Sequence, residues 1–360
     1  MKLSELRALA AGRTLFSSPT LEEALARLRF VQADPIRAPA RAQDLILRLR
    51  VPDYRAGQLE SRFDSLDLVE DTLHVYGFLP RREDAFLHPR RIDRSWSVDR
   101  AHPHLRRAIL AHVRRNGTAH PRDLHEALGR TSIVGGWGQE SAATTRVLEV
   151  LHYEGRLRVV RRESGIKVYG LAGARGKALS TPERARELLR ILVNLYAPLS
   201  RARLLQVFRM LGERAPRTVS AERLLEGLEK SGELRHGSVD GIEYVWPDAE
   251  RVADAPADRV HLLAPFDPIV WDRQRFEHLG RWRYRFEAYT PAGKRQFGYY
   301  ALPLLWRDAV VGWANVTRAA DGWQVSPGFV GTRPRASAFA RGFDAEVARL
   351  ERFLAAGASD

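Results

Sequence analysis

Apolar residues recur along this chain with two periods. Leu21, Ala24, Leu25 and Leu28 fall at helical spacing behind Thr20, a plausible N-cap, with Glu22 and Glu23 in the first turn. From Phe30 to Ile36 the period switches to alternation, which predicts a half-buried strand with Gln32 and Asp34 projecting to the same side. Helices are expected over 4–11, 41–50 (ended by Pro52) and 58–63, and paired strands or a strand and loop over 66–79.

Next comes a helix over 105–116 closed by Gly117 and a second opening at His120-Pro121. After a turn at Gly135-Gly136-Trp137-Gly138 there is a third over 141–153, then a hairpin over 156–171 turning at Glu163-Ser164-Gly165. Three helices and a hairpin are the order of a winged helix–turn–helix. The order returns with helices over 182–195, 200–211 and 220–230 and a hairpin over 233–246 turning at Asp240-Gly241. Leu148-Glu149, Leu151, Gly155 and Leu157 repeat as Leu225-Glu226, Leu228, Gly232 and Leu234 at an offset of 77 residues.

From His261 the pattern becomes mostly β. Strands are expected over 284–289 and 294–300 around Pro291-Ala292-Gly293, then over 302–305, 309–316 and 323–325, with a helix over 339–356. The expected fold is α+β: three tandem winged helix–turn–helix domains followed by a C-terminal small β-barrel. The first, residues 1–98, carries the candidate catalytic strand; the others span 99–177 and 178–250, and the barrel 251–360.

Charge adds a partner. The net charge is +14, and only five of the 58 basic residues are lysines. Arginine makes bidentate phosphate contacts and stacks on bases, so a basic channel for nucleic acid is expected. In the second unit Ser141, Thr144, Thr145 and Arg146 lie on the third helix and Arg158, Arg161, Arg162 and Lys167 on the wing, a phosphate-contact set. The corresponding third-unit helix carries Glu222, Glu226 and Glu229, which suits a spacer better than a DNA reader. Aromatics interleaved with Lys294, Arg295 and Gln296 fit base stacking, although filling a small barrel explains most of them.

The absence of cysteine excludes disulfides, thiolate zinc sites and iron–sulfur clusters, and the histidines show no ligand spacing. No metal or cofactor is expected. No apolar run approaches a membrane span, and the first residues lack a signal-peptide core, so a soluble, cytoplasmic, nucleoid-associated monomer is expected.

The candidate chemistry lies in Gln32 and Asp34. An amide beside a carboxylate, with Arg37 and Arg41 following, can hold and activate a water next to an anionic polymer; ordinary solvent-facing strand residues are the plain alternative. Nearby arginines would keep Asp34 ionised.

Three stretches together resemble the winged-helix DNA glycosylase family of the AlkZ/YcaQ type. They are Val31-Gln32-Ala33-Asp34-Pro35, Gly135–Gly138 leading to Leu148-Glu149, and Leu263-Ala264-Pro265-Phe266-Asp267-Pro268 through Trp271-Asp272-Arg273 with Lys294–Tyr300. The resemblance implies a metal-free hydrolase acting on double-stranded DNA that carries alkylated bases or interstrand crosslinks. Gln32-Ala33-Asp34 matches the Asp version of its catalytic pattern. Where relatives show Glu-Tyr-Trp-Ala-His this chain has Glu70-Asp71-Thr72-Leu73-His74, and Gln43 stands where His is frequent. His74, Tyr76 and Arg41 are candidates for bracketing a displaced nucleotide, with Arg37 and Gln43 nearby as DNA contacts. The competing reading is a non-catalytic winged-helix DNA-binding protein, such as a transcriptional regulator.

Overall fold

The computed structural model describes residues 1–90, 98, 101–134, 140–174, 179–212, 219–248, 259–320 and 322–355. The Gly135–Gly138 turn, the expected domain boundaries at 99, 177, 178, 250 and 251, and Ala356 at the end of the last predicted helix lie outside them. The chain forms two compact units: Met1–Leu59, Leu189–Phe208 and Ser220–Asp360 make one, Glu60–Leu188 and Arg209–Val219 the other.

In the second unit, strands Leu68–Thr72 and Tyr76–Pro80 pair antiparallel, with Glu70 opposite Phe78 and Asp71 opposite Gly77. Helices Pro103–Asn116, Pro121–Leu128 and Ala143–Tyr153 then enclose a core of Leu105, Ile109, Val113, Leu124, Val147, Leu148 and Leu151. The hairpin Leu157–Glu163/Ile166–Leu171 is joined by the short strand Thr118–Ala119, which pairs with Ile166–Leu171. This is winged-helix topology.

The first unit repeats that topology. Strand Leu199–Ser200 pairs with Ile242–Pro247, which pairs in turn with Leu234–Val239, behind helices Arg201–Met210 and Ala221–Lys230. The residue repeat has a physical basis. Leu148, Leu151, Leu225 and Leu228 are buried on the inner faces of equivalent helices. Gly155 and Gly232 follow at φ 70° and 76°, the left-handed conformation that turns each chain from helix into hairpin and that glycine adopts without strain.

Two expectations are corrected. The strand expected over 30–36 is only Val31–Gln32. Pro35 has no N–H for a ladder, and the Asp34 carboxylate takes the Ile36 N–H at 2.9 Å, an Asx turn that competes with strand pairing. The C-terminal barrel is also not closed. Val260–Leu262, Leu302–Trp306, Ala309–Ala319 and Gly322–Phe329 form an antiparallel sheet in that order, a curled, open half-barrel.

Residues 284–289 and 294–300 form no strands. The Glu287 carboxylate instead accepts N–H groups from Gln296 (2.9 Å), Phe297 (2.7 Å) and Gly298 (3.3 Å), occupying donors a ladder would need. Burial would raise the Glu287 pKa, but these donors outweigh it and hold it below the ordinary value. Trp282 and Tyr284 turn into a core with Phe276, Val270 and Leu263, which also takes in Ala11 and Leu49.

The N-terminal helices and C-terminal segment are joined by a fully buried ion pair. Arg50 reaches Asp267 through Nη1–Oδ2 (2.8 Å) and Nη2–Oδ1 (3.0 Å), with both side chains at 0% exposure. Asp267 also caps helix Pro268–Trp271 by accepting the Ile269 N–H. Buried Glu346 makes a second junction, accepting from Arg48 (3.0 Å) and from the Leu262 N–H (2.9 Å). Replacing Arg50 by Met strands the Asp267 charge and should cost about 3–5 kcal/mol of stability. Denaturant unfolding checks this; a loss under about 1 kcal/mol would contradict the pair's role.

Candidate active site

Gln32 ends the short strand, Asp34 lies two residues on in the Asx turn, and Gln43 on helix Ala42–Leu47 sets its Oε1 3.4 Å from the Asp34 N–H. The Gln32 carbonyl oxygen Oε1 is buried and has no hydrogen-bond partner among the described residues. A buried, unsatisfied acceptor marks a place for a water or a ligand atom. Asp34 is half-buried, and burial raises its carboxyl above the usual carboxylate value, opposed only by the Ile36 N–H. This corrects the expectation that arginines keep it ionised: among the described residues no guanidinium contributes to the shift, and Arg37 is exposed.

The Tyr300 hydroxyl is buried without a hydrogen-bond partner among the described residues, and burial, then the Asp34 charge, raises its pKa. The Tyr300 ring packs edge-on against Phe286 (5.3 Å) and Phe266 (6.5 Å). Arg273 is half-buried, 4.7 Å over the Tyr284 ring and bonded to the Val270 carbonyl. Sequence reasoning had Tyr300 within its quoted motif but gave it no role. Nothing in local spacing joins position 300 to position 34.

The sequence-predicted DNA contacts are placed unevenly. Lys294, Gln296 and Arg37 are exposed, and Arg295 bonds the Thr290 carbonyl while lying 5.1 Å over the Tyr299 ring. Arg41 is half-buried. Gln43 and Thr144 are 2% and 1% exposed, because both fall on the inward faces of their helices, so neither side chain is presented to a phosphate backbone. Thr145 lies 3.4 Å from His125, and exposed Arg146 pairs with Glu149 at 2.7 Å.

On the wing, Arg161 bonds Glu163 at 2.6 Å. Arg162 clasps Glu70 through Nε (3.1 Å) and Nη2, and bonds the Gly165 carbonyl. Lys167 lies 3.8 Å over the Tyr76 ring. His74 is buried, as is the Tyr76 hydroxyl. Much of this basic set is thus tied to internal partners. The acidic third-unit helix is likewise neutralised, Arg201 taking Glu222 and Glu229, each at 2.7 Å.

One metal-ligand grouping occurs among the described residues: ligand atoms of Asp71, Asp84 and His88 lie within 4.8 Å of one another. Asp71 already receives Arg90 at 2.6 Å and His88 at 3.1 Å. Burial alone would raise its pKa, but these partners hold it well below the usual carboxylate range. A dication there would have to compete with the Arg90 charge.

The winged-helix topology and basic balance define a DNA-binding protein with a small polar site on its N-terminal unit. A family model described as "DNA glycosylase AlkZ-like" matches residues 25–353, and the chain belongs to that AlkZ-like family. Among solved structures, the chain is similar to Streptomyces sahachiroi DNA glycosylase AlkZ. The two share 18% identity with a TM-score of 0.64, over 99% of this chain and 97% of that one, a likeness of fold. Among the described residues no helix is long and apolar enough to cross a membrane.

The Asp34 environment fixes the sign of a stability effect. With the folded-state pKa raised, folding favours the protonated form, so ionisation costs stability as pH rises from the unfolded value of 3.8 through the folded one. Asp34→Asn removes that cost. Thermal unfolding from pH 3 to 7 should show the variant gaining on the wild type with rising pH and keeping the gain at neutrality; a loss at neutral pH would contradict the assignment.

Proposed function

We propose that the protein is a monofunctional DNA N-glycosylase that hydrolyses the glycosidic bond of alkylated purines and unhooks interstrand crosslinks. The observation that carries this reading is the Gln32–Asp34 site: an uncompensated half-buried carboxylate beside an orphaned amide oxygen, in a chain of the AlkZ-like family.

In this reading Gln32 orients a water and Asp34 takes one of its protons as the oxygen attacks the sugar C1′. The C1′–N bond breaks with its electron pair passing to the base. An alkylated purine leaves from a cationic state, so no strong acid is needed to protonate it. The Asp34 charge also stabilises the oxocarbenium-like centre, the electrostatic problem that glycoside hydrolysis presents. A raised carboxyl pKa suits a base that must accept a proton. The nucleotide must leave the stack to reach the site. Arg37, Arg41, Lys294, Arg295 and Gln296 would then hold the backbone. The protein would work in the cytoplasm at the nucleoid as a monomer of successive winged-helix modules and a C-terminal sheet.

Incubation with N7-alkylated and nitrogen-mustard-crosslinked duplexes should release base and leave abasic sites, and Asp34→Asn and Gln32→Ala should each abolish release while retaining binding. Tight binding by the wild type without product under enzyme excess would support the regulator reading and sink this one. Separately, affinity for duplex DNA should fall about a thousandfold or more between 50 and 200 mM salt if six or more phosphates are contacted. A flat response in a fluorescence titration would contradict backbone recognition.

A further inference from the structure

The second compact unit holds a cavity of about 670 Å³ whose lining residues play no part in the Gln32–Asp34 chemistry. Val69, Ala85, Phe86 and Leu157 give it apolar walls, and Arg81, Arg82 and Arg158 also line it. A cavity of this size, with apolar walls and a few polar groups, is the usual form of a small-molecule site.

Its charges are unevenly matched. Among the lining carboxylates, Asp67 receives Arg81 at 2.6 Å, Glu70 is clasped by Arg162, and Asp71 takes Arg90 and His88. Asp84 lies 3.6 Å from His88, and Arg82 bonds Glu83 at 3.3 Å. The half-buried Arg158 guanidinium, by contrast, has no hydrogen bond or ion pair among the described residues. Burial, and then the like charge of Arg81, lower its pKa despite Asp84 and Asp64, so these acids fall short of a full counter-charge. A guanidinium stays protonated all the same, and its planar fork of donors matches an oxyanion.

We propose that this cavity binds a small organic oxyanion with an apolar body. Arg158 takes the anionic group through its N–H donors, and Val69, Ala85, Phe86 and Leu157 cover the body. A phosphate of the DNA backbone would meet the same arginine, but it brings no apolar group and leaves those walls uncovered. The binding stands apart from the glycosylase reading, since it needs neither Gln32 nor Asp34.

Calorimetric titration with 1-naphthyl phosphate, 1-naphthol and inorganic phosphate separates the two halves of the site. 1-Naphthyl phosphate should bind one to one, about tenfold or more tighter than either fragment. Arg158→Gln, a change at a half-exposed position, should weaken it about ten- to a hundredfold, the worth of hydrogen bonds to a charged group. Ala85→Phe, which fills the cavity from its wall, should abolish probe binding and leave affinity for duplex DNA as in the wild type. A short duplex should not displace the probe. The proposal is overturned by any of three results: no saturable binding in the millimolar range, equal affinity in Arg158→Gln, or displacement by the duplex, which would make Arg158 a backbone contact.

Discussion

The buried Arg50–Asp267 pair is the constraint on which the candidate site depends. Its two charges have no solvent, so their stability rests on bidentate geometry, with the Ile46 carbonyl accepting from Arg50 and the Ile269 N–H donating to Asp267. Through it the helix that carries Gln43 is locked to the segment that leads into the open sheet and to Tyr300. Arg50 and Asp267 are far apart in sequence, and their pair fixes the two segments to each other.

Elsewhere in the protein buried charge is answered by a partner: Asp71 by Arg90 and His88, Glu70 by Arg162, Glu346 by Arg48 and Arg349. Asp34 is treated differently. It is partly desolvated with no cation among the described residues offsetting that, and Gln32 keeps a buried amide oxygen without a partner among them. A half-buried carboxylate two residues on from a buried, unpartnered acceptor marks a place for a water or a ligand atom. The region gives up stability that the surrounding ion pairs restore, the usual balance at a functional site.

Much of the architecture was legible in local pattern. The repeat of Leu148, Gly155 and Leu157 in Leu225, Gly232 and Leu234 is a repeat of helix face, left-handed turn and strand entry, all short-range properties. The barrel was misread because the alternation over 284–289 serves an aromatic core around Trp282 and Phe297, while Glu287 occupies the backbone donors of the facing segment. Gln32 and Asp34 could be picked out by residue type. Their electrostatics could not, since Arg37 and Arg41 are neighbours only along the chain. Arg50 and Asp267 acquire their meaning from a contact across more than two hundred residues, which no spacing rule reports.

The account stands on the Asp34 carboxylate being the group that must lose its proton before hydrolysis. The most direct test compares two midpoints in one protein: the carbon-13 NMR titration of Asp34 and the acid limb of single-turnover base release from alkylated DNA. They should coincide, both above the 3.8 of an ordinary Asp. An Asp34 that titrates at or below that value, or a limb displaced from its midpoint, would contradict the account.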